Sequence, residues 1–457
     1  MIEKEEMQEI VAKYKEPIVL TIGSHSALDI LDGARAYGFR RIVYVPLKRA
    51  NIYLRHPIVG NQNEEIEDLP EIVKRDLIVT EDVSKIKKGG NWKLAILIVD
   101  RYDDVLKNEY LDAFLELEAI QIPNRAFAVY VGGFACEKIE RDFKLPILGS
   151  RYLLKIENRE EVKKNYYYLL EKAGIPHPEE YKYKIINDGI KFEQEVSGPV
   201  VFKVPHAVRR LERGFLFAAN GNEMERKVRE AIEQGNIDPN DLKDGRAEEY
   251  VPGVTANLNF FHSPIDAKAN LEELSKYYGN GFNLGTQFIS VDMRYEATHD
   301  GISRMHAKDQ IQCDWSKTRY SKTFEVVAHG GESLRESLLR LVFPIVDKFD
   351  SICKEEYPPG IIGAYCIQTL ITFRQQVFME GATVGVYDVP EGKRVIDFDF
   401  VCQDVATRLG GGTNAHMGIG GQYGIVLYNK TGMSMGKRIG LEIHRAKKRD
   451  VLKEIVT

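Results

Sequence analysis

The sequence predicts an α/β front domain followed by a larger α+β body. Three observations carry this. Over the first third, short β-branched runs alternate with helical periods: PIVLTIG, SALDILDGARAYG, RRIVYVP, LAILIVD, NEYLDAFLELEAI and AFAVYVGG. That alternation is the pattern of βαβ units feeding a parallel sheet. Around PILGSRYLL the rhythm changes, and beyond it strands dominate. With 457 residues, 44% of them apolar, the chain can bury a core large enough for two to four structural units.

The elements follow in order. MIEKEEMQEIVAKYKEP reads as a charged amphipathic helix rather than a signal segment, and runs such as LAILIV are too short to span a bilayer. No export and no membrane are expected. PIVLTIG, RRIVYVP, LAILIVD and AFAVYVGG read as buried strands, with helices between them. Next comes a helix over NREEVKKNYYYLLEKAG, stopped by a C-cap glycine and the prolines of GIPHP. Strands are then expected at GPVVFKVP, RGFLFAA, AEEYVPG, TANLNFFHSP, FNLGTQFISVDMRYEA and TFEVVAHG. After the long helix ESLLRLVFPIVDKFDSICKEEY, two more follow at GAYCIQTLITF and RVIDFDFVCQDVA.

Charge and cysteine usage exclude several classes. A net charge of -5 gives no global pull toward nucleic acid or anionic lipid. The cysteines, Cys136, Cys313, Cys353, Cys366 and Cys402, form no CxxC pair, so neither a disulfide framework nor a zinc ribbon is indicated, which suits a reducing cytoplasm. Zinc through His299, His306 and Cys313 fails the usual ligand spacing.

Candidate sites lie where strands end. Gly23, Ser24, His25 and Ser26 stand between the first strand and first helix, where free backbone N–H groups favour an anion. A serine N-cap is the competing role. In VVFKVPHAVRRLERGFLFAA, a hairpin loop carries Lys203, His206, Arg209, Arg210 and Arg213, which suits either polyphosphate or a solvated turn. Glu248 and Glu249 sit at a strand end, where one carboxylate can accept bonds from a ribose. The densest polar cluster is MRYEATHDGISRMHAKDQ, with Arg294, Tyr295, Glu296, Arg304 and Lys308, charged as an anionic substrate requires. Asp397 and Asp399 share one strand face and Asp404 ends it, a place for magnesium. The run RLGGGTNAHMGIGGQYG then follows, with Gly411, Gly412, Thr413 and Asn414. Its aromatic and apolar residues distinguish it from a Gly/Ser linker and favour a shaped loop lining a site.

In that order, TIGSHSALDILDGA, EEYVPG, SVDMRYEATHDGISRMHAKDQ, GAYCIQTL and GGGTN followed by SMGKRIGLEI resemble the archaeal ATP-grasp family of 5-formaminoimidazole-4-carboxamide ribonucleotide (FAICAR) synthetases. The likeness spans nearly the whole chain. It implies a preATP-grasp domain over 1–150, a small ATP-covering subdomain over 151–250 and a large subdomain over 251–457. It also implies an enzyme of purine biosynthesis that joins formate to the amine of an imidazole ribonucleotide (AICAR), with ATP and Mg2+, through formyl phosphate. A homo-oligomer acting on small molecules alone is the expected assembly.

By the same matching, Gly23, Ser24, His25 and Ser26 would hold the nucleotide monophosphate, and Lys203 would reach ATP phosphate. Glu248 and Glu249 would border adenosine. Arg294, Arg304 and Lys308 would face the reacting groups, with Tyr295, Glu296 and the Gly411–Asn414 loop beside the substrate. Asp404, with Gln368 on the neighbouring strand, would hold the metal. The chain departs from the family pattern at HAVRRLERG, bulkier than the usual glycine loop, so Arg209, Arg210 and Arg213 would carry the ATP contacts. It departs also at Tyr168, where a lysine is usual, at Gly133, where a serine is expected, and at Gln403–Asp404, where the metal strand usually ends in glutamate. These departures point to a paralogue, with a related ligase for a different carboxylate or amine, or a nucleotide-binding protein without turnover, as the alternatives.

Overall fold

The front third forms one parallel sheet. The computed structural model describes residues 1–24, 26–60, 68–133, 136–159, 161–204, 214–268, 284–314, 317, 326–373, 386–388, 394–396, 398–424 and 432–457. After helix α1 (Lys4–Val11), strand β1 (Ile18–Ile22) leads into α2 (Ala27–Ala36). Strands β2 (Arg41–Pro46), β3 (Leu77–Thr80), β4 (Leu94–Val99) and β5 (Ala119–Gln121) complete the order β3-β4-β2-β1-β5. Strands β1, β2 and β4 are buried at every residue, which is why they read as continuous apolar runs rather than alternating ones. The order reverses at β1, between β2 and β5, and open α/β sheets bind ligands beyond the carboxyl ends of the strands at such a reversal.

The expected strand AFAVYV is a helical turn, Phe127–Val131, and β5 comes earlier, at Ala119–Gln121. Asn124 causes the difference. Its Oδ1 accepts from the Phe127 N–H at 3.2 Å, capping the turn, while its Nδ2 donates to the Ile22 carbonyl at 3.2 Å and ties the turn to the end of β1. Likewise the helix expected from Asn158 onward is only α3 (Tyr166–Lys172), because Asn165 Oδ1 caps it by accepting from the Tyr167 and Tyr168 N–H groups at 3.0 and 3.3 Å. Gly174, at φ +61°, ends it as the sequence predicts.

The next unit contains β6 (Glu180–Tyr181), the hairpin β7 (Tyr183–Ile186) and β8 (Gly189–Phe192), β9 (Val200–Val204), β10 (Gly214–Ala218), α4 (Gly221–Glu233) and β11 (Arg246–Glu249). Its main sheet runs β10-β9-β11-β6. Gly214 pairs with Val204, so the two expected strands pair with each other, while His206, Arg209, Arg210 and Arg213 lie outside the described residues.

The third unit is an antiparallel sheet of β12 (Val254–His262), β13 (Thr286–Glu296), β14 (Val326–Glu332), β15 (Gly363–Phe373) and, after the short pair β16 (Val386–Asp388) and β17 (Arg394–Ile396), β18 (Phe398–Ala406). Its order is β14-β13-β12-β15-β18. Between β13 and β14 lie the short helices α5 (Ala297–Ile302) and α6 (Ala307–Gln312), and before β15 the long α7 (Glu336–Glu356). One sheet face buries Leu258, Phe260, Tyr365 and Phe400 against Val342, Val346 and Phe349 of α7 and Leu169 and Leu170 of α3.

The last helix, α8 (Met435–Lys448), returns to the front domain and crosses α2. A Cβ on Gly33 would stand 1.9 Å from the Gly436 carbonyl carbon, and one on Gly436 would stand 1.8 Å from the Asp29 carbonyl oxygen, so only glycine permits this crossing. Buried Asp29 caps α8 by accepting from the Ser434 hydroxyl at 2.6 Å and the Gly436 N–H at 2.9 Å. Among the described residues, no helix is long and apolar enough to cross a membrane.

Candidate functional site

Register in the large sheet lines up four polar residues. Asp292 on β13 stands opposite Asn257 on β12, Asn257 opposite Gln368 on β15, and Gln368 opposite Asp404 on β18. Asp292, Asn257 and Gln368 are buried. The Asp292 carboxylate accepts from Asn257 Nδ2 at 2.9 Å and from Asn259 Nδ2 at 2.6 Å. Arg294, two residues along β13 and so on the same face, donates to Gln368 Oε1. A register shift after Gln368 breaks the β15–β18 ladder where Asp404 ends the row.

The glycine run lies on this row. A Cβ on Gly412 would stand 1.9 Å from Asp292 Oδ1, and one on Gly410 would stand 3.1 Å from Asn259 Oδ1. Close approach is the requirement here rather than a left-handed backbone, since Gly412 has φ -84°. The run is therefore a packed loop and not a linker. Buried Thr413 donates its hydroxyl to the Gly410 carbonyl at 3.4 Å, within the run, and its turn packs against α2 of the front domain.

The front turn ends β1 beside it. Tyr102 donates its hydroxyl to the Gly23 carbonyl at 2.6 Å, and Tyr53 donates to the Ser24 carbonyl at 2.6 Å, so both carbonyls are tied back. The Ser24 and Ser26 hydroxyls lie 3.4 Å apart, and the Ser26 side chain makes no capping bond to α2, which removes the N-cap role. His25 lies outside the described residues. The guanidinium of Arg49 stacks on Tyr102 and Tyr130, 5.9 and 5.1 Å from the ring centres.

A second cluster faces the row from the small sheet. Lys203 Nζ lies 2.5 Å from Glu248 Oε2 and donates to the Tyr167 hydroxyl at 2.9 Å. Arg246 Nε donates to Glu248 Oε1 at 2.7 Å, and its guanidinium lies 3.6 Å over the Tyr167 ring. Burial pushes the Glu248 carboxyl up, but Lys203 and Arg246 outweigh it and hold the group below its ordinary value. The structure thus differs from the sequence reading at Glu248, which is wholly buried and held by three side chains rather than open to a ribose. Glu249 lies on the opposite strand face and is half-buried.

Arg159, not singled out by its sequence context, stands between the two clusters. Burial works against its charge, yet Tyr166, Tyr167, Asp404 and Glu248 face it and raise it above the usual arginine range. Asp404 belongs to the large sheet and Glu248 to the small one, so Arg159 marks their junction. It makes no ion pair among the described residues.

Other predicted residues are placed differently. Arg304, beyond α5, and Lys308, in α6, are exposed and make no hydrogen bond or ion pair among the described residues. Nothing in the structure brings them to the row. Tyr295 is exposed and lies over Gly330, where a Cβ would stand 2.9 Å from its ring. Glu296 follows it at the end of β13, and burial pushes its carboxyl up. Gly411 and Asn414 are half-buried in the run. Asp397 lies outside the described residues.

Asp404 and Gln368, register neighbours that both carry oxygen donors, suit a hard cation such as magnesium once Arg294 gives up Gln368 Oε1 to it. Among the described residues no three His, Cys, Asp or Glu side chains are grouped for a metal. A single carboxylate with an amide beside it is the donor set of a magnesium ion that takes its remaining ligands from water and substrate phosphates.

A family model described as "Domain of unknown function (DUF1297)" matches residues 223–457, just over half the chain. The chain belongs to the DUF1297 family. The match takes in the whole polar row and the glycine run. A second model, "Protein of unknown function (DUF1246)", matches 19–87 and 92–181, including the front turn and Arg159. The 5-formaminoimidazole-4-carboxamide-1-(beta)-D-ribofuranosyl 5'-monophosphate synthetase of Methanocaldococcus jannaschii is 27% identical over 459 residues, covering all of both chains. The protein of the same name from Methanobrevibacter smithii is 28% identical over 458 residues, covering 100% of this chain and 99% of its own. Among solved structures, the IMP biosynthesis protein PurP from Thermococcus kodakaraensis superposes with a TM-score of 0.56 at 24% identity, over 96% of this chain and 100% of that one. That likeness is one of fold: this DUF1297 member is a Rossmann-like domain followed by an ATP-grasp fold.

Proposed function

We propose that this chain is an ATP-dependent carbon–nitrogen ligase of purine biosynthesis in the cytoplasm. It formylates the amine of 5-aminoimidazole-4-carboxamide ribonucleotide with formate and releases ADP and phosphate. The observation that carries this is the convergence of the front turn, the glycine run and the polar row, faced by Lys203 and Arg159. An anionic nucleotide and a transferring phosphoryl group need those two kinds of surface side by side.

Formate is a poor electrophile as its carboxylate. Transfer of the γ-phosphoryl group to a formate oxygen makes formyl phosphate and releases ADP. Attack by the amine then forms the C–N bond, expels phosphate and gives up one proton. Lys203 and Arg159 offset phosphate charge during the first transfer. Asp404 and Gln368 would hold Mg2+, whose contribution when bound is to neutralise the phosphoryl oxygens. The turn at Gly23–Ser26 takes the nucleotide monophosphate and fixes the imidazole over the row. Delocalisation toward the carboxamide weakens the amine as a nucleophile, so positioning is the main lever available to the protein. The packed glycine run keeps water from the acyl phosphate.

A related ligase with another carboxylate or amine is the second reading. The loop HAVRRLERG favours it, offering arginine side chains where the resembling family has a glycine loop. A thermal-shift screen with ATP, magnesium, formate and the imidazole nucleotide separates the two, since a ligand that binds only the native state raises Tm. The first reading expects shifts with ATP and with the imidazole nucleotide; a shift with ATP alone favours the second.

A further inference from the structure

Three buried acceptor atoms close to Asp292 have no donor: Asn257 Oδ1, Asn259 Oδ1 and His416 Nε2. Their residues are 5%, 1% and 2% exposed, so water does not satisfy them from the surface. The orientation of the asparagines is fixed, because each directs its Nδ2 at a carboxylate oxygen of Asp292, and a flipped amide would set oxygen against oxygen. Burial lowers the pKa of His416, which favours the neutral imidazole, and its Nε2 meets no partner. Glu332, half-buried at the end of β14 and electrostatically coupled to Asp292, adds a fourth such atom, Oε2.

Buried polar atoms are nearly always paired, so a group of unpaired ones calls for an occupant. All four can accept, so phosphate or carboxylate would be repelled, whereas a group rich in N–H donors would satisfy them. The glycine run packs directly over them, Gly410 against Asn259 and Gly412 against Asp292, so a planar ring that reaches these acceptors displaces backbone and no side chain.

We propose that Asn257 and Asn259 select the edge of the imidazole nucleotide that carries the amine and the carboxamide, their Oδ1 atoms accepting its N–H groups. This rests on the formylation reading and adds to it the residues that choose the nucleotide. They act as specificity residues, with Asp292 as the anchor that aims them.

The test is discrimination between two nucleotides, measured by calorimetry on the full chain: 5-aminoimidazole ribonucleotide with its 4-carboxamide and the same compound without it. The wild type is expected to prefer the carboxamide form by at least tenfold. In Asn257→Ala with Asn259→Ala, the preference falls to within twofold while ATP affinity is unchanged. Asn257→Ser, which keeps a hydroxyl for Asp292, serves if the double variant does not fold, with the ATP-induced rise in Tm as the folding control; it should lose at least half of the preference. If either folded variant weakens both nucleotides equally and keeps the wild-type preference, the acceptors hold only water or structure and the inference is overturned. If the wild type binds neither nucleotide, the formylation reading fails and takes the inference with it. Binding with an unchanged preference removes the inference alone.

Discussion

Gly412 lies so close to Asp292 that an added Cβ would stand 1.9 Å from its Oδ1. The two residues belong to segments far apart in sequence, and their contact presses the glycine run onto the polar row. Gly412→Ala must therefore push the run off Asp292. Overpacking of this kind costs about 1–3 kcal/mol. The variant is expected to show a lowered Tm and turnover reduced by roughly tenfold or more. Unchanged turnover would mean that the run can shift without consequence for the site.

Asp404 closes the same row, beside Gln368. Asp404→Asn keeps the shape and removes the charge that a divalent cation needs. ATP turnover should be lost while metal-free adenine nucleotide still binds, as measured by ADP release and by calorimetry. Normal turnover would move the metal elsewhere, with Asp399 the next to test.

Lys203 and Glu248 form a buried pair in which each charge depends on the other. Removing one partner of such a pair costs about 3–5 kcal/mol. Lys203→Met should therefore lower Tm and weaken ATP together. Adding Glu248→Gln removes the stranded carboxylate, so the double variant should regain much of the lost Tm without regaining ATP affinity. Recovery of both would show that Lys203 acts on stability alone.

Asp29 makes the docking of α8 on α2 sensitive to pH. Burial pushes its carboxyl from the ordinary 3.8 up to about 6, against the bonds from Ser434 and Gly436. A carboxyl raised by folding contributes stability that is complete below its unfolded value and lost as pH rises through its folded value. From this group, Tm should fall between pH 4 and pH 7. Asp29→Asn should flatten that part of the Tm profile, and an unaltered slope would assign the dependence to other groups.

The fold was legible where periodicity and turn chemistry agreed. Strands β1, β2 and β4 announced themselves as apolar runs bounded by turns, and the Gly174 stop was placed correctly. AFAVYV misled because a short continuous apolar run looks the same in a strand and in a helical turn, and the deciding contact, from Asn124 to Ile22, is not local. In the site, the front turn and the glycine run stood out because bare backbone at a strand end is uncommon. Asn257 and Asn259 did not, although two asparagines at period two in an otherwise apolar strand are visible in TANLNFF. Alternation there reads as one face in water, whereas the sheet buries both faces. Arg159 was hidden among the charges of NREEVKK, where spacing alone does not separate a site cation from a solvated one. Glu248 was misjudged for the complementary reason: which carboxylate of a pair faces inward depends on the partner strand.

The most direct test of the account is to incubate the purified chain with ATP, magnesium, isotopically labelled formate and 5-aminoimidazole-4-carboxamide ribonucleotide, and to follow ADP and the label. The account predicts one ADP released for each labelled formyl group joined to the nucleotide, with no transfer when any component is omitted. ADP release that ignores formate, or a labelled product that forms without ATP, would contradict it.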